Sequence, residues 1–371
     1  MTMRFTCEKN LLLTGLNIAS RTVAQKSSLT VLEGILCRAG SGVNLTGYNM
    51  ETAISYNIDA EVTEAGSCVF PARLFSDIIR RLPEGYVTVM VDENYKVSIR
   101  AGYASFTISA EPSDDYPELP DVSEGKGIYM PQRALKELIS GTLFSVSENQ
   151  AQPIHTGVKF EVEEDRISAI SVDGFRLSRR TFHPETPFHR TQSFVVPASG
   201  IKEVEKILTD SEENVSFTKG NKHILFQMDG ATLVCRLLEG SFLDWRRVVP
   251  TNCPIKLVAH VSDLYSAIER VGLIVSEKYK SPVRCSFGNQ IVHLRTNTTI
   301  GAAEDQCSLA GDGKDLEIGF NVRYLADALR AVPGDEVTLE LTNGLSPIVL
   351  TPADNKADFS YMVLPVRLKN G

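Results

Sequence analysis

Histidines, cysteines and clustered carboxylates are the side chains of this 371-residue chain that could do covalent or metal chemistry. None of them stands at a working spacing. The six histidines show no His-Glu-x-x-His pattern, and His183 and His189 flank prolines in a loop, where a solvated role is expected. The seven cysteines are scattered and never form Cys-x-x-Cys, which reads as small reduced thiols. No Gly-x-Gly-x-x-Gly or Gly-x-x-x-x-Gly-Lys-Ser/Thr loop is present to cradle a phosphate, and no Gly-x-Ser-x-Gly marks a nucleophile. The acidic runs at 114–115, 161–165 and 212–213 are expected in turns or on exposed strands, as solvated faces rather than a two-metal site. No cofactor or metal is therefore expected. Two stretches point to recognition instead. SVDGFRLSRR at 171–180 runs an Asp-Gly turn into three arginines, and YMVLPVRL at 361–368 is almost wholly apolar. The second either finishes a sheet or lines an apolar groove for a short peptide.

The elements that must position these stretches are organised around VFPARLFSDIIRRLPEGYVTVMV at 69–91. Its spacing predicts a helix from Ala72 to Leu82, with Leu74, Phe75, Ile78, Ile79 and Leu82 on one stripe and Arg73, Asp77, Arg80 and Arg81 opposite. Pro71 suits a helix start, and Pro83-Glu84-Gly85 ends it before an alternating strand. The same unit returns at 194–217 around Pro197 and at 318–341 around Asn321, with apolar positions Ile201, Val204 and Leu208, then Val322, Leu325 and Leu329. Such a period is too long for a solenoid, so a whole domain is used three times.

Each copy opens with a further amphipathic helix: 8–19, 132–140 and 261–271, the last with Ser262 as its expected cap. SVSENQAQPI at 145–154 and IVSEKYKSPV at 274–283 mirror each other after the second and third of these. EPSDDYPELP and LLEGSFLDWRRVVP close the first two copies. The expected domains are residues 1–120, 128–250 and 251–371. Two helices and roughly eight short strands in each give an α+β class. No run of about 18 apolar residues is present and the first residues carry no apolar signal segment, so a cytoplasmic protein without membrane association is expected. The net charge of −8 argues against a surface that coats nucleic acid everywhere, but leaves room for a local basic face.

Three tandem domains, SVDGFRLSRR, GSFLDWRRVVP and MVLPVRL together resemble the bacterial β sliding clamp family, over the whole chain. That resemblance implies clamp-type domains of two helices packed on antiparallel sheets, and a head-to-tail homodimeric ring around double-stranded DNA of any sequence. It implies no catalytic centre, but an accessory subunit of the DNA polymerase III holoenzyme. Its partners would be the catalytic subunit of that polymerase, a clamp loader and other proteins carrying a clamp-binding motif.

Residue by residue, the resemblance implies a peptide pocket from His155, Val172, Gly174, Phe175, Arg176, Leu177, Leu243, Arg247 and Val248. The C-terminal Met362, Val363, Leu364, Pro365, Val366 and Arg367 would join it, with Leu345 and Pro347 nearby. Phe175 stands where His is common in the family, and His155 where an aliphatic residue is usual. The protomer contact would use Leu74, Phe106 and Ile108 of the first domain against Leu273 and Ile274 of the third. DNA would face Lys26, Arg73, Arg80, Arg133, Lys136, Gln150, Lys202, Lys206, Lys280, Arg323 and Arg330. Ala198-Ser199 replaces the basic residues common after Pro197 in the family. Two other readings remain open: a three-domain enzyme acting on nucleotides, and a scaffold that does not touch DNA.

Overall fold

The computed structural model describes residues 2–122, 127–188, 191–276, 278, 281–354 and 356–368. The first copy of the repeat runs β1 (Met3–Glu8), α1 (Lys9–Ala19), β2 (Gly34–Ala39), β3 (Val43–Tyr48) and β4 (Thr52–Ile58). It continues through β5 (Glu61–Glu64), β6 (Gly66–Pro71), α2 (Ala72–Arg81), β7 (Tyr86–Val91), β8 (Lys96–Ala101) and β9 (Ala104–Ser109). The second copy has β10 (Ile128–Pro131), α3 (Gln132–Leu143), β11 (Gly157–Val162), β12 (Ile167–Val172) and β13 (Arg176–Phe182). Then come β14 (Gln192–Pro197), α4 (Ala198–Ile207), β15 (Asn214–Lys219), β16 (His223–Met228) and β17 (Ala231–Arg236). The third has β18 (Ile255–His260), α5 (Val261–Gly272), β19 (Val283–Gly288), β20 (Ile291–Thr298) and β21 (Gly301–Ala310). It ends with β22 (Leu316–Phe320), α6 (Val322–Arg330), β23 (Glu336–Leu341), β24 (Ile348–Pro352) and β25 (Asp358–Val363). The order is one pattern used three times, with β5 as an insertion in the first copy.

The repeat extends to single hydrogen bonds. The first helix of each copy starts with its N–H on a carbonyl of the turn after the second helix: Lys9 on Gly85 (2.9 Å), Gln132 on Glu213 (2.8 Å), Val261 on Asp335 (2.8 Å). An N-terminal amide that a helix cannot satisfy itself is thus satisfied by the turn that ends its neighbour. This is why α1 and α5 do without side-chain caps. The cap expected at Ser262 is not made; His260 holds the N-cap position and the Ser262 hydroxyl turns to the Asp263 carboxylate at 3.3 Å. Asn321 does cap α6, accepting from the N–H groups of Arg323 and Tyr324.

The chain divides into two compact units, residues 1–133 with 203–237 and residues 134–202 with 238–371. The first unit holds a five-stranded sheet, β5-β1-β7-β8-β9, and an eight-stranded one, β10-β15-β16-β17-β4-β3-β2-β6. Its largest apolar cluster joins Leu12 and Leu16 of α1 to Phe75 and Ile79 of α2 over Phe5, Phe70, Val87 and Ile99. The rings of Phe70 and Phe75 stack at 4.1 Å, fixing α2 on the end of β6. The stripe on α2 is as expected except at Leu74, which is half exposed and turned away from this core.

The second unit contains one twelve-stranded ladder, β14-β11-β12-β13-β25-β24-β23-β18-β21-β20-β19-β22. Leu264 and Ile268 of α5 and Leu325 and Leu329 of α6 share a core with Phe287, Phe320, Leu339 and Tyr361. Tyr361 is fully buried; its hydroxyl donates to the Ala331 carbonyl at 3.1 Å, and burial pushes its ionisation up to about 12.

All seven cysteines are unpaired and buried. Burial pushes the thiols of Cys7, Cys68 and Cys285 up to about 12 and that of Cys235 to about 11. Among the described residues, no helix is long and apolar enough to cross a membrane.

Close packing of α1 on β3 depends on Gly47, where an added Cβ would lie 2.0 Å from the Ala19 carbonyl oxygen. A backbone atom cannot rotate away, so Gly47→Ala should cost about 3 kcal/mol, at the upper end of overpacking. Urea unfolding checks this; a loss below about 0.5 kcal/mol would show that the helix has room to shift.

Candidate functional site

The two stretches marked for recognition come together in the second unit. β12 and β13 form a hairpin whose turn is Asp173-Gly174-Phe175. Gly174 sits at φ +92°, a conformation that side-chain-bearing residues avoid. Asp173 accepts from the backbone N–H groups of Phe175 (2.9 Å) and Arg176 (3.0 Å), so the turn is built from within. β13 then pairs with β25, Leu177 opposite Met362 and Arg176 opposite Val363.

Beyond β25 the chain remains tied down. The Leu364 N–H donates to the Phe175 carbonyl and the Val366 N–H to that of Gly319, both at 2.8 Å. The apolar tail thus packs and also presents a surface. Val172, Leu177 and Met362 join Ile170 and Val349 in a separate small cluster, against which Phe242, Trp245, Val249 and Leu364 rest.

Beside this cluster lies an open cleft of about 540 Å³ lined by His155, Leu243, Arg247 and Val248, with Phe242 shared between the two. Leu243 and Val248 are a third or more exposed, as are Val366 and, far more so, Leu345. Pro347 precedes Ile348, whose register partner is Val363, so the β23–β24 turn reaches the same region. His155 meets the Phe242 ring edge-on at 5.1 Å with its Nδ1 3.1 Å from Gln152 Oε1. Partial burial lowers the ionisation of its imidazole.

Two residues behave otherwise than expected. Arg176 does not offer its charge to the groove. It is buried, with Nε on Asp173 (2.9 Å), Nη1 on Asp327 of α6 (2.7 Å) and its guanidinium 4.4 Å from the Tyr324 ring centre. Phe175 is mostly exposed and stacks on Tyr324 at 6.1 Å, towards α6.

Glu161, read as part of a solvated acidic run, is a hub. Its carboxylate accepts from Lys159 (2.7 Å), the Trp245 indole N–H (3.2 Å) and Arg246 (3.1 Å). Burial works to raise its ionisation, but these hydrogen bonds and the charges of Lys159 and Arg246 outweigh it and hold the carboxyl below the usual range. Sequence reasoning left out Phe242, Trp245 and Glu161. The sole tryptophan, set before two arginines and an apolar pair, was the available signal.

The helix cations are exposed at Arg73, Arg80, Arg133, Lys202, Lys206, Arg323 and Arg330, and half-buried at Lys136. Several are engaged: Arg80 with Asp77 at 2.9 Å, Arg133 with Glu212 at 2.6 Å, Lys206 with Glu203 at 2.6 Å, Arg330 with Asp327 at 3.5 Å. Lys26 and Gln150 are exposed in loops, and Lys280 lies outside the described residues. Of the apolar residues assigned to a protomer contact, Leu273 is 83% exposed, Leu74 50% and Phe106 41%, with Ile108 and Ile274 half-buried.

Comparison with known proteins agrees with this architecture. Residues 3–120, 129–244 and 246–367 match the N-terminal, central and C-terminal domains of the DNA polymerase III beta subunit. The beta sliding clamps of Staphylococcus epidermidis and Staphylococcus aureus are each 31% identical, over 98% of this chain and 99% of theirs. The solved DNA polymerase sliding clamp of Bacillus subtilis superposes with a TM-score of 0.95 at 28% identity, covering 100% of both chains. That of Pseudomonas aeruginosa, solved bound to griselimycin, gives 0.93 at 29% identity over 99% of this chain and 100% of that one. The chain therefore belongs to the DNA polymerase III beta subunit family, the beta sliding clamps.

Proposed function

We propose that this protein is a processivity factor: a sliding clamp that encircles duplex DNA and tethers the replicative polymerase through the apolar groove of its second unit. It is a non-catalytic accessory subunit of DNA polymerase III. The observation that carries ring formation is a missing strand partner. The fourth strand of the basic pattern in copy one, β4, pairs with the last strand of copy two, β17; likewise β13 of copy two pairs with β25 of copy three. The next pairing in the series would join β21 of copy three to β9 of copy one. Among the described residues, β9 has a ladder only to β8, and β21 has one to β20 with a short contact to β18 at Leu309 and Ala310. Exposed edges of this kind invite pairing with another chain, and a head-to-tail dimer supplies the partner at both ends.

Side chains support the same contact. A cleft of about 550 Å³ beside Leu74 and the end of β9, lined by Val31, Val69, Phe70 and Ala110, suits Leu273 and Ile274 of a second copy. Three clamp domains per chain (residues 1–120, 128–250 and 251–371) then give six around DNA. Lys26, Arg73, Lys202 and Arg323 would touch phosphates rather than bases, holding any sequence and permitting sliding. Because several neighbouring cations are tied to carboxylates, direct affinity for DNA is weak and retention is topological. Partners are the polymerase catalytic subunit, a clamp loader and other proteins with a short apolar clamp-binding motif, in the cytoplasm.

Leu273→Ala with Ile274→Ala should yield monomers, since each lost aliphatic contact costs about 2 to 5 kcal/mol if tightly packed. A dimer persisting at micromolar concentration in light scattering would place the contact elsewhere. Protein loaded on a nicked plasmid should stay bound as salt rises and leave when the plasmid is cut; retention on the linear product would refute encirclement.

Leu364→Ala with Pro365→Ala should weaken a fluorescent peptide of Gln-Leu-Ser-Leu-Phe type by about 5- to 150-fold, the worth of one lost apolar contact, with melting and dimerisation nearly unchanged. Equal affinity for both proteins would remove the tail from the groove.

A further inference from the structure

Leu243, Arg247 and Val248 form a wall of the groove, yet they stand on or directly beside a single 3₁₀ turn, Trp245–Arg247, and are themselves exposed. A turn of three residues has little stability of its own. Its internal bonds are local: the Asp244 side chain accepts from the Arg246 N–H and pairs with Arg247 Nε at 3.2 Å, its carbonyl accepts from the Arg247 N–H, and the Trp245 carbonyl accepts from those of Val248 and Val249. Apart from the apolar packing of Trp245 and Val249, what ties it to the sheet is mainly one carboxylate. Glu161 on β11 receives the Trp245 indole N–H and Arg246 Nη1 on the same oxygen, while Arg246 Nη2 reaches Glu163 at 3.2 Å. Lys159 fills the other oxygen of Glu161 at 2.7 Å. The guanidinium carbons of Arg179 and Arg246 lie 4.8 and 4.6 Å from the Trp245 ring centre, and Arg179 is held in turn by Asp358 of β25.

Resting on the groove reading above, we infer that Glu161 is a positioning residue for partner binding: through Trp245 and Arg246 it fixes the groove wall in its binding geometry without touching the peptide. The groove floor, Val172, Leu177 and Met362, is set by strand pairing and needs no such help. The wall lies outside the ladder and does. Its carboxylate must be charged to hold two cations and an indole at once; burial opposes that charge, and the hydrogen bonds from Lys159 and Trp245 with the charges of Lys159 and Arg246 outweigh it. A partner peptide would otherwise have to order the turn as it binds, and that ordering cost would be subtracted from its affinity.

The chain has one tryptophan, so tryptophan emission, excited selectively over the eleven tyrosines, reports this turn alone. The experiment compares wild type, Glu161→Gln and Glu161→Ala in the full dimer, with a labelled Gln-Leu-Ser-Leu-Phe peptide followed by anisotropy. Alongside it are read tryptophan emission, melting temperature and dimerisation. Glu161→Ala should weaken the peptide roughly 10-fold and Glu161→Gln roughly 3-fold, the scale of lost hydrogen bonds to a charged acceptor. Free Glu161→Ala should show red-shifted emission, and saturating peptide should restore the wild-type wavelength as it orders the turn. That restoration distinguishes positioning from general destabilisation, which added peptide would not reverse at 25 °C. Unchanged affinity in both variants overturns the inference while wild-type binding leaves the groove standing. A red shift that peptide does not reverse also overturns it. A wild type that fails to bind the peptide refutes the groove itself.

Discussion

Backbone amides and carbonyls at the edge of a strand must find partners, and in this chain that requirement is met by joining one copy of the repeat to the next. Tyr56 opposite Ala231 and Ile54 opposite Leu233 continue the sheet of copy one into copy two; Leu177 opposite Met362 does the same between copies two and three. Everything else follows from that continuity. The helices lie on sheets already aligned by the ladders. The groove proposed for recognition lies at the second of these seams, where a turn of copy two meets the tail of copy three. The next pairing in that series, β21 with β9, is not made within the chain among the described residues and is the one proposed for a second copy.

The seam is also where charge is buried. Arg176 exchanges water for Asp173, Asp327 and the faces of Tyr324 and Phe144. Such an arrangement gains little net stability over apolar packing, but losing one member leaves the others uncompensated. Its value is therefore in geometry: β13 and α6 can meet in one way only. Nearby, Arg180 does the same with Glu137 of α3 at 2.7 Å. The arginines of SVDGFRLSRR, which in sequence look like a rim awaiting a ligand, are mostly the bolts of the joint that carries the groove.

Much of this was legible in sequence because it rests on local patterns. Apolar spacing at 3.6 residues located α2, α4 and α6, and Pro71, Pro197 and Asn321 marked their starts in register. What escaped depends on long-range pairing. The stripe assigned Leu74 to the core by spacing, whereas the sheet turns that position outward. Ser262 has the right type for a cap, but the helix starts at Val261 as expected, its N-cap is His260, and the Asp335 carbonyl already satisfies the first amide. Glu161 sits in a run of acids that reads as solvated. Only the folding of residue 245 back across β11 reveals its role. The residues proposed for the groove were reached by family resemblance and by greasiness, not by any spacing rule, since they come from five separated segments.

The buried thiols have a practical consequence of their own. A thiol with an ionisation near 12 is thiolate in on the order of one molecule in 10⁵ at neutral pH, and thiolate is the form that alkylates. Those three thiols should therefore react slowly with maleimides while the chain is folded, and all seven are buried from the reagent. A single cysteine introduced on an exposed strand such as β9 would be modified almost alone, so a dye, a spin label or a covalent staple can be placed without first stripping the protein of its own sulfur.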